Sequence, residues 1–88
     1  MRIDLFLHRI RLVKSRTLAQ AVIGEGTTRI DGRRVDKPSE PVRVGSVVVL
    51  PLHGRVRVIR VRQLPERRGP ASEARAAYEE IDGESVAT

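Results

Sequence analysis

The chain has no cysteine and no tryptophan, and its only aromatic residues are Phe6 and Tyr78. Without cysteine there is no disulfide framework, no thiolate metal site and no cysteine nucleophile. Nothing then points to an oxidising compartment, and a cytoplasmic protein is expected. Two aromatics are too few for a sheet of the RRM or OB type, which stacks bases on several exposed rings. Long apolar runs are missing as well. Arg9 and Arg11 break the first apolar stretch, so neither a signal peptide nor a membrane span is expected. At 88 residues a single small domain buries only about 60% of its unfolded surface and has little room to enclose a deep substrate pocket. A large enzyme is not expected.

What the chain does have is positive charge, unevenly spread. Its formal net charge is +6. Residues 1–50 hold ten Lys and Arg against five Asp and Glu, and residues 51–68 hold six Arg against Glu66, so each segment nets +5. From Gly69 the balance reverses to −4, with Arg75 set against Glu73, Glu79, Glu80, Asp82 and Glu84. A +10 body with an acidic end draws and steers a polyanion more strongly than the overall figure suggests. The acidic end is read as a solvated tail, with shielding of the basic face as the alternative.

Hydrophobic spacing organises the rest. Ile3, Phe6, Leu7 and Ile10 fall at i, i+3, i+4 and i+7, one buried face of a short helix. Ser15 is a good N-cap for a second helix whose apolar side is Leu18, Ala19, Val22 and Ile23, with Arg16 and Gln20 on its polar side and Gly24 and Gly26 at its end. Asp31-Gly32 between Thr28-Arg29-Ile30 and Arg33-Arg34-Val35 signals a two-residue type I′ hairpin. That turn predicts pairs Ile30 with Arg33, Arg29 with Arg34 and Thr28 with Val35. Val47 to Leu50 reads as a central strand, and His53-Gly54 as the turn into a strand from Arg55 to Arg62. The Arg/Val alternation of that last strand changes phase at Val58-Ile59, which implies a bulge or a strong twist. Ala74, Ala77, Tyr78 and Ile81 show helical spacing after Gly69-Pro70. They predict a C-terminal helix closed by Asp82-Gly83, with residues 84–88 frayed.

These elements carry a resemblance. Arg2-Ile3-Asp4 with Phe6-Leu7, then Arg11-Leu12-Val13-Lys14-Ser15-Arg16-Thr17-Leu18-Ala19, then Thr28-Arg29-Ile30-Asp31-Gly32 and Val42-Arg43-Val44-Gly45 resemble the S4 RNA-binding domain over roughly residues 1–50. Arg67-Arg68-Gly69-Pro70-Ala71-Ser72-Glu73-Ala74 and Tyr78-Glu79-Glu80 further resemble the heat shock protein 15 branch of that family, with its ribosome-associated quality-control relatives. The chain has Asp31-Gly32 where the family usually has Asn-Gly, and Gly45-Ser46 where it has Gly-Asp. The resemblance implies an α+β S4-type fold, with two short N-terminal helices on a small, mainly antiparallel sheet and a short C-terminal helix. The expected division is an S4-type domain over residues 1–68 and an acidic helix and tail over 69–88. The implied function is non-enzymatic binding of structured RNA, namely ribosomal RNA of large subunits that carry peptidyl-tRNA. The partners expected are the large ribosomal subunit and tRNA, with no membrane, and the chain is expected to be a monomer. Rival readings are a module that recruits an RNA-modifying enzyme and a protein-interaction module built on a Val-rich edge strand.

The candidate RNA-binding residues are Arg9, Arg11, Lys14, Ser15, Arg16, Gln20, Arg29, Arg33, Arg34 and Lys37. Lys14, Ser15, Arg16 and Gln20 lie where the amides and dipole of the second helix would meet a phosphate. Arg29, Arg33 and Arg34 crowd one tight turn, where facing like charges cost a few tenths of a kcal/mol until a polyanion arrives. Arg2 is the exception, as it can pair with Asp4. Arg55, Arg57, Arg60 and Arg62 are read as solvated guards of an edge strand. His8 and His53 are too far apart for a metal site. No catalytic residue and no cofactor is expected.

Overall fold

The first apolar stripe forms α1 (Ile3–Arg9) in the computed structural model, which describes residues 1–81. Ile3, Phe6 and Leu7 are fully buried, and Ile10 follows as its C-cap. The helix ends in a paired stop. The Arg11 N–H donates to the His8 carbonyl and the Leu12 N–H to the Leu7 carbonyl, both at 3.1 Å. This is the Schellman arrangement, in which the residue after the C-cap turns left-handed. Glycine is usual there, yet Arg11 occupies the position at φ 63°.

Ser15 then caps α2 (Arg16–Gly24), its Oγ accepting from the Leu18 N–H at 3.1 Å. The apolar side of α2 is narrower than its spacing predicts. Ala19 and Ile23 are buried, whereas Leu18 stays 49% exposed and Val22 packs only partly against the core.

The hairpin joins β1 (Thr28–Ile30) to β2 (Arg33–Val35) with the expected register, Thr28 to Val35, Arg29 to Arg34 and Ile30 to Arg33. Asp31 at φ 52° and Gly32 at φ 80° are both left-handed, as a type I′ turn requires. The Asp31 carboxylate also accepts the Val47 N–H at 2.9 Å, and its own N–H donates to the Val47 carbonyl at 2.8 Å. The hairpin tip is thereby stapled to the start of β3 (Val47–Leu52).

With β4 (Arg55–Val61) and β5 (Tyr78–Ile81) these strands make one antiparallel sheet in the order β2-β1-β3-β4-β5. The Val-rich strand is central, as expected. One sheet face, carrying Ile30, Val35, Val48, Leu50, Ile59 and Val61, packs under α1 and α2 as a single core with Phe6 and Ile23. Thr28 lies in the same layer with its hydroxyl buried and without a hydrogen-bond partner among the described residues.

Two expectations are corrected. No bulge interrupts β4 against β3, because six consecutive residues pair from Val47–Arg60 to Leu52–Arg55. The phase change arises because Val58 is buried on the second sheet face, between Val49 and Ile81. The C-terminal helix is also shorter than its spacing predicts. A brief α3 (Ala71–Ala76) stops at Ala77, and Tyr78–Ile81 pairs with β4 as a strand. The guarded edge is therefore β5, and β4 lies inside the sheet. The expected stop at Asp82-Gly83 and the frayed end fall outside the described residues.

Candidate nucleic-acid interface

Helical spacing puts Asp4 beside Leu7 on the buried stripe, and the carboxylate is fully enclosed. It survives burial because five donors meet it. Arg2 grips it with Nε on Oδ1 and Nη2 on Oδ2, both at 3.0 Å, and the Leu5 N–H reaches Oδ1 at 2.8 Å. From α2, Gln20 Nε2 at 3.1 Å and Arg16 Nε at 3.3 Å both donate to Oδ2. Burial alone pushes the Asp4 carboxyl up, but the hydrogen bonds from Arg2, Gln20, Leu5 and Arg16 outweigh it and hold the group below the ordinary carboxylate range. One buried carboxylate thus fixes the start of α1 to the polar side of α2. The Arg2 and Arg16 side chains remain 43% and 45% exposed, so each guanidinium keeps N–H groups facing water.

The segment 36–41 runs alongside this clamp. Its Pro38 and Glu40 carbonyls accept from the Asp4 and Ile3 N–H groups at 3.2 and 2.8 Å, and Pro41 bridges to Arg2. Lys37 is exposed on this segment, and Arg33 reaches across to Glu40 at 3.3 Å. Lys14 is exposed just before the Ser15 cap and forms no ion pair among the described residues.

The other candidates go elsewhere. Arg29 and Arg34 are out of phase with Thr28, Ile30 and Val35, so the pleat sends them to the sheet face away from the helices. There they are directly opposite across the ladder, Arg34 donating to the Gly26 carbonyl at 2.7 Å and Arg29 to the Gly32 carbonyl at 3.2 Å. Arg9 donates to the Pro65 carbonyl at 3.0 Å and Arg11 to the Gly69 carbonyl at 2.7 Å, at the far end of α1. The ten residues therefore do not share one face. Arg16 and Gln20 converge on Asp4, Lys37 and the Glu40 partner of Arg33 belong to the segment alongside it, and Lys14 lines one groove with Arg11 and Arg68. Arg9 and Arg11 form a second group with Arg68, which donates to the His8 carbonyl at 3.1 Å.

The β4 arginines are largely engaged by β5. Arg57 pairs with Glu80, while Arg60 and Arg62 meet Glu79 at 3.2 and 2.6 Å. The bond to Arg57 holds Glu80 below the ordinary carboxylate range, and the same bond raises Arg57. Two acids of the C-terminal segment thus neutralise the sheet, not the helices.

A family model of the S4 domain matches residues 1–48. The chain belongs to the S4 domain family. The S4 match takes in α1, α2, the hairpin and the first residues of β3, and all ten candidate residues lie within it. The S4 chain is 37% identical over 86 residues to heat shock protein 15 of Escherichia coli (strain K12), covering 98% of this chain and 63% of that protein. It thus spans less than two thirds of that relative's length. It is also 38% identical over 47 residues to small ribosomal subunit protein uS4 of Listeria monocytogenes, 53% of this chain and 24% of that one. Its structure is similar to that of Vibrio cholerae heat shock protein 15, described as a trimer, with a TM-score of 0.86, 29% identity and 99% and 86% of the two chains covered.

The sequence reading missed Asp4 as the carboxylate on which Arg2, Arg16 and Gln20 converge, and missed Arg68. Asp4 had a signal: an acid on an apolar stripe, two residues after an arginine. Arg68 had none, since it reaches His8 from 60 residues away.

Proposed function

We propose that this chain is a non-enzymatic RNA-binding protein whose target is structured ribosomal RNA of the large subunit, with peptidyl-tRNA nearby. S4 family membership and similarity to heat shock protein 15 support RNA binding. The observation that carries the reading is the Asp4 clamp. It holds two half-exposed guanidinia, that of Arg16 in the first turn of the Ser15-capped α2, so phosphate oxygens meet donors whose rotamers are already fixed. A surface of this kind reads phosphate spacing and helix shape, in keeping with the scarcity of aromatics.

The test is a salt titration of binding to large-subunit ribosomal RNA fragments. Arg16→Ala should weaken binding and flatten the slope of log K against log salt by about 0.7–0.9 for each phosphate left without its cation. Paired Arg33→Ala and Lys37→Ala should do the same. Unchanged affinity in variants that keep the wild-type circular dichroism spectrum refutes the interface. Co-purification with an RNA-modifying enzyme instead of ribosomal subunits would favour a recruiting role. A monomer is our proposal for the chain in dilute solution, against the trimer described for the V. cholerae protein, and sedimentation equilibrium separates the two.

A further inference from the structure

A groove of about 680 Å³ lies between the α1–α2 connection, the outer side of α2 and the β3–β4 turn. That is within the range of small-ligand clefts, about 300–1,000 Å³. Its apolar wall is Leu18, Val22, Pro51 and Leu52. Leu18 is the residue that α2 leaves half exposed against its own apolar periodicity. Arg11, Lys14 and Arg68 line the same groove, with Glu25 as its acid. Glu25 makes no ion pair among the described residues.

The cationic rim is built into the backbone. Arg11 holds a left-handed conformation that disfavours any side chain, and its Nε is tied to the Gly69 carbonyl. Arg68 is tied to the His8 carbonyl. Both guanidinia are thus held in place before a ligand arrives, which lowers the ordering cost of binding. Lys14 belongs both to this rim and to the start of α2, so a strand whose phosphates lie on α2 would continue over the groove.

We infer that the groove takes one unpaired nucleotide of the bound RNA, with a guanine base. This rests on the RNA-binding reading above. The phosphate would meet Arg11, Lys14 and Arg68, and the flat base would lie on Leu18, Val22 and Leu52. Guanine turns two adjacent donors, N1–H and the N2 amino group, towards the Glu25 carboxylate. Uracil offers one donor between two carbonyls and is disfavoured there. The place of Lys14, shared by the groove and the approach to α2, favours the bound RNA over an acidic peptide as the occupant, because the groove then continues the proposed path of phosphates.

The test is an NMR titration of the ¹⁵N-labelled full chain with GMP, UMP and ribose 5-phosphate. GMP should shift the amides of Leu18, Val22, Leu52 and Gly54, and ribose 5-phosphate only those near Arg11, Lys14 and Arg68. Leu18→Ser, at an exposed position, should weaken GMP by at least about fivefold and leave ribose 5-phosphate unchanged. Glu25→Gln should abolish the preference for GMP over UMP. Equal shifts from GMP and ribose 5-phosphate, or an unchanged preference in Glu25→Gln, overturn the inference. Groove shifts produced by an acidic amphipathic peptide and not by GMP overturn it too, in favour of a protein occupant. If ribosomal RNA still binds with a steep salt slope while GMP leaves the groove silent, only this inference falls. Loss of both removes the RNA-binding reading.

Discussion

Asp4→Asn isolates the charge at the centre of the clamp without changing its shape. Asparagine keeps an acceptor at Oδ1 for Arg2 Nε and the Leu5 N–H. At Oδ2 it presents an amide NH₂ to three donors, namely Arg2 Nη2, Arg16 Nε and Gln20 Nε2. A hydrogen bond to a charged group is worth about 1.5–3 kcal/mol, and much of that is recovered where the donor regains water. Arg2 and Arg16 are 43% and 45% exposed, so the bonds are discounted to about 0.5–1 kcal/mol each, for a loss of about 2 kcal/mol. In a domain of this size that lowers Tm by about 8–16 °C. Urea unfolding followed by far-ultraviolet circular dichroism measures it, since the chain has no tryptophan. The sign with pH is fixed. Asp4 lies below its unfolded value when folded, so the stability it adds is present above the unfolded pKa and is lost as pH falls through the folded one. The deficit of Asp4→Asn should therefore be full at pH 7 and close in strong acid. A variant within about 0.5 kcal/mol of wild type at pH 7, or a deficit that persists unchanged in strong acid, refutes the clamp.

Thr28→Val removes, at nearly constant volume, a buried hydroxyl that has no partner among the described residues. It should raise stability by about 1 kcal/mol in urea unfolding. Arg11→Gly and Arg11→Ala both lose the bond to Gly69, but only glycine is at ease at φ 63°. The glycine variant should be the more stable by about 1 kcal/mol, and equal stabilities would mean that the left-handed stop is absent in solution. Burial, followed by the positive charges of Arg68, Arg16, Arg9 and Arg11, holds His8 below the ordinary histidine value. Stability should fall as pH drops from about 6.5 towards the folded pKa, and less so in His8→Gln. By NMR the His8 midpoint should rise when RNA phosphates offset those charges, and a midpoint indifferent to bound RNA would place the interface elsewhere.

Where geometry is dictated by neighbouring residues, it was legible. Asp31-Gly32 sets the register of its two strands because a two-residue turn leaves no freedom, and the Ser15 cap needs only the helix that follows it. Long-range pairing overrode local pattern elsewhere. Tyr78 and Ile81 keep a helical spacing, yet as a strand the same segment pairs with β4 and sets Glu79 and Glu80 against Arg60, Arg62 and Arg57. A lone helical turn could not match that ladder. The site was half legible for the same reason. Residue type and spacing marked Lys14, Arg16 and Gln20, but only the fold shows that α1 and α2 converge on one carboxylate. The turn register already set Arg29 and Arg34 on the face opposite Ile30, but only the fold shows that Ile30 packs under the helices, so that the two arginines turn away from α2.

The strand order has an electrical consequence. Arg29, Arg33 and Arg34 belong to the β2–β1 edge, and Glu79 and Glu80 to β5 at the opposite edge. Four inter-strand spacings, about 19 Å, separate the two edges. Beside them on β4, Arg57, Arg60 and Arg62 outnumber these two acids, so neither edge is a negative pole. In the field of a polyanion the molecule is pulled without a strong torque, and contact chemistry, not long-range orientation, selects the productive encounter. The association rate constant should still drop steeply with ionic strength.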